Sequence, residues 1–230
     1  MIDKICSSAA NALQGVGDGS TVLVGGFGEA GMPFTLLEAL LEHGAKHLTI
    51  VSNNAGNAET GIAALLKEGR VDKVICSFPR QVDSYVFDEL YRAGKVALEV
   101  VPQGNLAERI RAAGAGIGAF YCPTAYGTQL AAGKETRTID GRDYVLEYPI
   151  NADLALIKAL QADRWGNLVY RMTARNFAPV MAMAATTTVA EVHEIVELGA
   201  LDPETIVTPG LFVQAVVAAP DPVVVRAAQA

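Results

Sequence analysis

Val24-Gly25-Gly26-Phe27-Gly28-Glu29-Ala30-Gly31-Met32-Pro33 (VGGFGEAGMP) decides how this chain is read. It follows the β-branched and aliphatic run TVLV at 21–24 and precedes an amphipathic stretch from Phe34, so it is the turn of a strand-turn-helix unit. Gly26, Gly28 and Gly31 stand in G-x-G-x-x-G spacing, the dinucleotide-binding fingerprint. That fingerprint needs an acidic residue about 20 positions further on, at the end of the second strand, to hold ribose hydroxyls. Ser52, Asn53 and Asn54 stand there instead. The helix should also be running through the third glycine already, and Met32-Pro33 follow it here. The spacing therefore argues against a nicotinamide or flavin site. What the glycines still permit is close approach of backbone N–H groups to an anionic or carbonyl-bearing ligand, because no Cβ intervenes.

Outward from this turn, further strands are predicted over 47–54, 71–78 and 95–104, separated by amphipathic stretches at 33–44, 59–69 and 84–94 that each end in glycine. This β-α-β-α order predicts a mainly parallel sheet with helices on both faces. A helical segment follows at 105–116, then a loop-rich stretch at 119–135. Two alternating runs around Asp140-Gly141 form a hairpin signal. Residues 153–170 read as strand, turn and strand, 176–185 as a short helix, and 187–196 and 204–217 as late strands. No internal repeat and no linker are visible, so one α/β domain over 1–230 with an antiparallel hairpin extension is expected. The closing stretch, APDPVVVRAAQA, reads as a poorly packed terminus.

A net charge of −7 and a pI near 5.0 leave no basic face for nucleic acid. No apolar run reaches the roughly 20 residues of a bilayer span, and the start lacks a secretory pattern. A cytoplasmic protein acting on small molecules or proteins is expected, without membrane contact. Cys6, Cys76 and Cys122 are odd in number and widely spaced, which suits reduced packing residues rather than disulfides or a metal site.

In parallel α/β sheets, ligands bind beyond the carboxyl ends of the strands. There this sequence places Gly25-Gly26-Phe27-Gly28, Ser52-Asn53-Asn54-Ala55-Gly56, Ser77-Phe78-Pro79-Arg80-Gln81 and Pro102-Gln103-Gly104-Asn105. Neutral amides can donate to an oxyanion with no charge to desolvate, so the equipment suits acyl transfer. A nucleophile and its base are missing: His43, His47 and His193 lie elsewhere, no G-x-S-x-G occurs, and Glu29 reads as a solvated or gating residue.

DGSTVLVGGFGEAGMP resembles the signature of the family I coenzyme A transferases. The likeness runs on through SNNAG, VVPQGNLAERIRAAGAGIGAFYCPT, GKETRTIDGRDYVLE, ADLALIKALQADRWGNLVYR, ARNF and LDPETIVTPG, all similar to the family's A (alpha) subunit. CSFPRQVDSYVFDELYRAGK further resembles the branch acting on 3-oxoadipate with succinyl-CoA as donor, with acetoacetate-type enzymes as the nearest alternative. A non-catalytic sugar-phosphate or effector-binding domain is the reading from another class. Ala125 departs from the pattern where glycine is common, and Ala215 where a basic residue often stands.

The resemblance implies a ping-pong reaction through a glutamyl-CoA thioester on a glutamate of the B subunit. It therefore implies a hetero-oligomer, α2β2, and no cofactor beyond CoA as part of the substrate. Carried onto this chain, Gly25, Gly26, Phe27, Gly28, Glu29, Ala30 and Gly31 would form the CoA-contacting loop, with Asn54 beside it. Asn53 and Gln103 would lie next to the partner's glutamate as supporting catalytic residues, and Arg80 would hold the distal carboxylate of a dicarboxylate acceptor.

Overall fold

A computed structural model describes residues 2–219 of the 230; the closing stretch lies outside the described residues from position 220 on. The strand-helix alternation is present as expected. In chain order the elements are α1 (Ala9–Ala12), β1 (Thr21–Val24), α2 (Phe34–His43), β2 (Leu48–Ser52), α3 (Ile62–Lys67), β3 (Val71–Cys76), α4 (Tyr85–Arg92), β4 (Ala97–Val100) and α5 (Gln103–Gly114). Then come β5 (Phe120–Cys122), β6 (Thr136–Ile139), β7 (Arg142–Glu147), β8 (Ala152–Asp163), β9 (Leu168–Val169), α6 (Ala178–Ala184), β10 (Ala185–Val196) and β11 (Ala215–Ala218).

The main sheet has eight strands in the order β11-β10-β8-β1-β2-β3-β4, with β9 antiparallel on β8. All other pairs are parallel. β1 is therefore central: the chain builds outward from it to β4, then returns to lay β8 against its other edge. The loop after β1 leaves the sheet at this switch of direction, where a crevice opens between neighbouring crossovers.

Alternating side chains of the strands divide two apolar layers. Val22 and Val24 pack with Leu36, Leu40, Ile62, Leu66 and Phe87 of α2, α3 and α4. Leu23 packs on the opposite face with Leu106, Ile110 and Met181 of α5 and α6. Strands covered on both faces explain why β1 and β2 read as nearly continuous aliphatic runs.

The hairpin expected around Asp140-Gly141 is β6-β7, and β5 joins it to make a separate three-stranded antiparallel sheet, β5-β7-β6. β5 lies within the stretch read as loop, because three residues are too few to show a period. The last expected strand, over 204–217, shortens to β11 preceded by two 3-10 turns.

The structure also corrects the absence of an internal repeat. Residues 26–31 and 56–61 adopt the same turn: Phe27 bridges Ala30, and Asn57 bridges Thr60. The backbone takes positive φ at the matching positions, 133° and 94° at Gly26 and Gly56, 62° and 49° at Gly28 and Ala58, 76° and 57° at Gly31 and Gly61. Gly-x-x-Glu-x-Gly is common to both segments. The repeat is carried by the sign of φ, which three shared residues in six barely announce.

Candidate active site

The first of these turns projects from the end of β1. Gly25 and Gly26 are buried, while Phe27, Glu29 and Ala30 are exposed. Its shape is held from behind by Asn176, whose Oδ1 accepts the N–H of Gly26 at 3.0 Å and whose Nδ2 donates to the carbonyl of Ala30 at 3.0 Å. Gly31 is required at its position: a Cβ there would lie 2.3 Å from the Ala174 carbonyl oxygen. Between the turn and the 170–176 segment is a cavity of about 800 Å³, lined by Phe27, Ala30, Tyr170, Met172, Arg175 and Val207 among others.

α2 starts immediately after the turn, and Pro33 offers no side-chain cap. The buried carboxylate of Glu191 on β10 takes that part, accepting the N–H groups of Thr35 at 2.9 Å and Leu36 at 3.4 Å. Its other oxygen accepts from Lys158 Nζ on β8 at 2.7 Å. An anion at a helix N-terminus is favoured by the helix dipole, and here a half-buried lysine balances it. The sequence reading missed this pair, although each residue interrupts an aliphatic strand.

Asn53 and Asn54 have opposite surroundings. Asn54 is fully buried: its Oδ1 accepts the N–H of Gly56 at 3.0 Å, and its Nδ2 points to the carbonyl of Gly28 at 3.5 Å. Expected as a ligand contact, it ties the first turn to the second loop from a position with no exposed surface. Ser84 continues the belt, donating to the Gly56 carbonyl and accepting the N–H of Gln81, both at 2.8 Å.

Asn53 sits at the open end of β2. Its Oδ1 accepts from Ser77 Oγ at 2.8 Å and from Gln103 Nε2 at 2.7 Å. Three successive strand ends are thus joined by side-chain hydrogen bonds, and the two residues expected to act together are brought into contact. Ser77 is the addition: its place at a strand end is plain from sequence, but its bond to Asn53 is not.

Arg80 does not stand free. Its Nε lies 2.5 Å from Asp88 Oδ1 on α4, and Arg92 approaches the other oxygen of Asp88 at 3.6 Å. Holding a substrate carboxylate would require Arg80 to leave this pair, which the eight-residue separation in sequence did not reveal.

Behind the rim, Asn105 of α5 is buried, donating to Glu147 Oε1 and accepting from the Cys122 thiol, each at 3.1 Å. Glu147, also buried, is balanced by Lys134 at 2.7 Å and Arg109 at 3.8 Å, so the small sheet is locked onto α5 through charge. Burial pushes the Cys76 thiol up to about 12, which removes it as a nucleophile at neutral pH. Among the described residues no cluster of His, Cys, Asp or Glu is arranged to hold a metal ion. No helix among them is long and apolar enough to cross a membrane. The site therefore offers neutral donors, a shaped glycine turn and a cavity.

Residues 6–219 match the family described as Coenzyme A transferase. The chain is 69% identical over 218 residues to the A (alpha) subunit of the 3-oxoadipate CoA-transferase of Pseudomonas putida, covering 95% of this chain and 94% of that one. It is 65% identical over 217 residues to the protein of the same name from Acinetobacter baylyi, covering 94% and 95%. Among solved structures, the apoenzyme of an acyl-CoA transferase from Escherichia coli O157:H7 superposes with a TM-score of 0.83 at 24% identity. That likeness covers 95% of this chain and 47% of the E. coli chain, so the fold described here spans about half of that protein.

Proposed function

This chain belongs to the coenzyme A transferase family, and from that premise we propose that it is the A subunit of an enzyme moving CoA from succinyl-CoA to 3-oxoadipate. The products are 3-oxoadipyl-CoA and succinate. Identity of 69% over nearly the whole chain to a protein of that name is the observation that carries the choice of acceptor. The site supports it from chemistry, having donors for an oxyanion and no nucleophile-base pair of its own.

In the reaction the resemblance implies, a glutamate carboxylate of the B subunit bonds to the succinyl thioester carbon and expels the CoA thiolate, leaving a mixed anhydride. The thiolate attacks the glutamyl carbonyl of that anhydride, releasing succinate and forming the glutamyl-CoA thioester. The carboxylate of 3-oxoadipate then displaces the thiolate, and its return to the 3-oxoadipyl carbonyl gives the product and frees the glutamate. Each addition places negative charge on a carbonyl oxygen. Asn53, supported by Gln103, supplies N–H groups toward it, and one well-aligned donor contributes about 3 kcal/mol. Phe27, Gly28, Glu29 and Ala30 touch CoA, whereas Gly25, Gly26, Gly31 and Asn54 give the loop its shape. CoA enters as substrate and no other cofactor is part of this reading. An α2β2 assembly in the cytoplasm and a single domain over 1–230 complete it.

The test is to assay the chain alone and with its B subunit for succinyl-CoA-dependent transfer to 3-oxoadipate. No turnover alone, ping-pong kinetics for the pair and a CoA adduct on the partner are expected by rate measurement and mass spectrometry. Turnover by the isolated chain, or an adduct on it, overturns the split site. Transfer to acetoacetate as fast as to 3-oxoadipate moves the acceptor to the acetoacetate-type branch.

A further inference from the structure

We infer that Ser77 is a positioning residue, whose hydroxyl fixes the Asn53 side-chain amide with its oxygen inward and its N–H groups toward the substrate. The inference rests on the function proposed above, and it follows from counting lone pairs. The main-chain carbonyl of Asn53 already accepts two backbone N–H groups, from Ser77 at 3.2 Å and Phe78 at 3.0 Å. The Ser77 hydroxyl lies 3.2 Å from that same carbonyl and 2.8 Å from Asn53 Oδ1. With both lone pairs of the carbonyl engaged, the shorter path takes the hydroxyl proton to Oδ1.

The opposite flip would place Asn53 Nδ2 against Ser77 Oγ and force the hydroxyl proton onto the saturated carbonyl. Gln103 Nε2, donating at 2.7 Å, fills the second lone pair of Oδ1. Both acceptor sites of the amide are then used by the protein.

Its amino group meets no acceptor among the described residues. Only 3% of the surface of Asn53 is exposed, yet the buried side-chain polar atoms left without a partner are Ser52 Oγ and Arg70 Nε. The unbonded Nδ2 is not among them, so it keeps some contact with solvent at the strand end, the proposed place of the substrate. A donor prepared in this way needs no reorganisation when a carbonyl oxygen gains charge. Ser77 acts through Asn53 and does not itself touch the reacting atoms; an aspartate at 53 could not do the same work, because both of its oxygens accept.

Ser77→Ala in the assembled two-subunit enzyme is expected to lower kcat roughly tenfold while KM for succinyl-CoA stays within about twofold. Ser77→Thr, which keeps the hydroxyl, is expected to restore the rate. The double variant Ser77→Ala/Asn53→Ala should be no slower than Asn53→Ala alone. Wild-type rates in Ser77→Ala, failure of Thr to rescue in a folded enzyme, or losses that multiply in the double variant each overturn the inference. Should Ser77→Ala fail to assemble, Ser77→Cys takes its place: its thiol is a poor donor, so the same loss is expected and full activity overturns the idea. Side-chain amide NMR of the enzyme carrying ¹⁵N-asparagine gives a readout independent of turnover. Rapid exchange of the Asn53 Nδ2 protons with water in the free enzyme is expected, and protected protons overturn the orientation. An enzyme that transfers no CoA would refute the proposed function while leaving this measurement decisive for Ser77.

Discussion

The duplicated turn supplies its own control for a prediction about the glycine loop. Gly28→Ala and Gly31→Ala place the same methyl group three residues apart, both at positive φ, 62° and 76°. A left-handed conformation costs a non-glycine residue roughly 1–2 kcal/mol, and both variants share that term. At Gly28 the new Cβ meets only the tip of Gln81 at 3.4 Å, and the second turn already holds Ala58 in the matching place at φ 49°. Gly28→Ala should therefore cost no more than about 2 kcal/mol. At Gly31 the Cβ would be 2.3 Å from the Ala174 carbonyl oxygen and 2.8 Å from Asn176 Nδ2. Backbone must move, at about 1–3 kcal/mol for overpacking, and Asn176 loses its grip on Gly26 and Ala30 at about 1 kcal/mol for each hydrogen bond. Gly31→Ala should cost roughly 4–7 kcal/mol in all. Urea unfolding followed by circular dichroism, at fixed protein concentration, measures the difference, and kcat/KM should fall further for Gly31→Ala. Equal midpoints for the two variants would refute the reasoning.

Other consequences are equally direct. Glu191→Ala strands Lys158 and uncaps α2, so a loss of about 3–5 kcal/mol is expected in the same unfolding assay, and Glu191→Ala/Lys158→Met should recover much of it. Arg80→Met, compared on 3-oxoadipate and acetoacetate, should depress only the dicarboxylate if Arg80 exchanges Asp88 for substrate; equal effects would mean it serves Asp88 alone. For Glu99, burial pushes the carboxyl up, but hydrogen bonds from Lys73 and Arg109 outweigh it and hold the group below the usual carboxylate range. Its contribution is full above the unfolded-state pKa and lost as pH falls through the folded one. Glu99→Gln should thus cost roughly 1 kcal/mol after solvent screening at pH 7, with the gap to wild type closing in acid. Ala125 has a φ of 73°, so Ala125→Gly should raise stability by about 0.5 kcal/mol after the added freedom of the unfolded chain, read as a small upward shift in Tm.

The parallel half of the fold was legible because its strands and helices have distinct hydrophobic periods and glycines end the helices. α1, four residues lacking any apolar pattern and capped by Ser8, gave no such signal, and neither did the three-residue β5. Within the site, the missing acid after β2 turned the reading away from dinucleotides, and the amides at strand ends singled out Asn53 and Gln103, which the fold brings into hydrogen-bond contact. Sequence could not separate Asn53 from Asn54, since adjacent residues at a strand end face opposite ways and only the packed loop decides which way is out. Nor could it anticipate the Asp88 partner of Arg80, which depends on how α4 folds back over its own entry loop. The departure at Ala125 had a physical meaning, as glycine is the residue that adopts its conformation freely.

The central position of β1 has a consequence during synthesis. Its hydrogen bonds on one side go to β2, some 28 residues away at Thr21 and Thr49, while the other side waits for Leu154, Ala155 and Leu156. Until a ribosome has delivered that stretch, this edge of β1 has no partner strand. Such an edge invites pairing with another nascent chain. The same order of strands that places the glycine turn at the heart of the sheet therefore leaves the second partner of its central strand to be made late in translation.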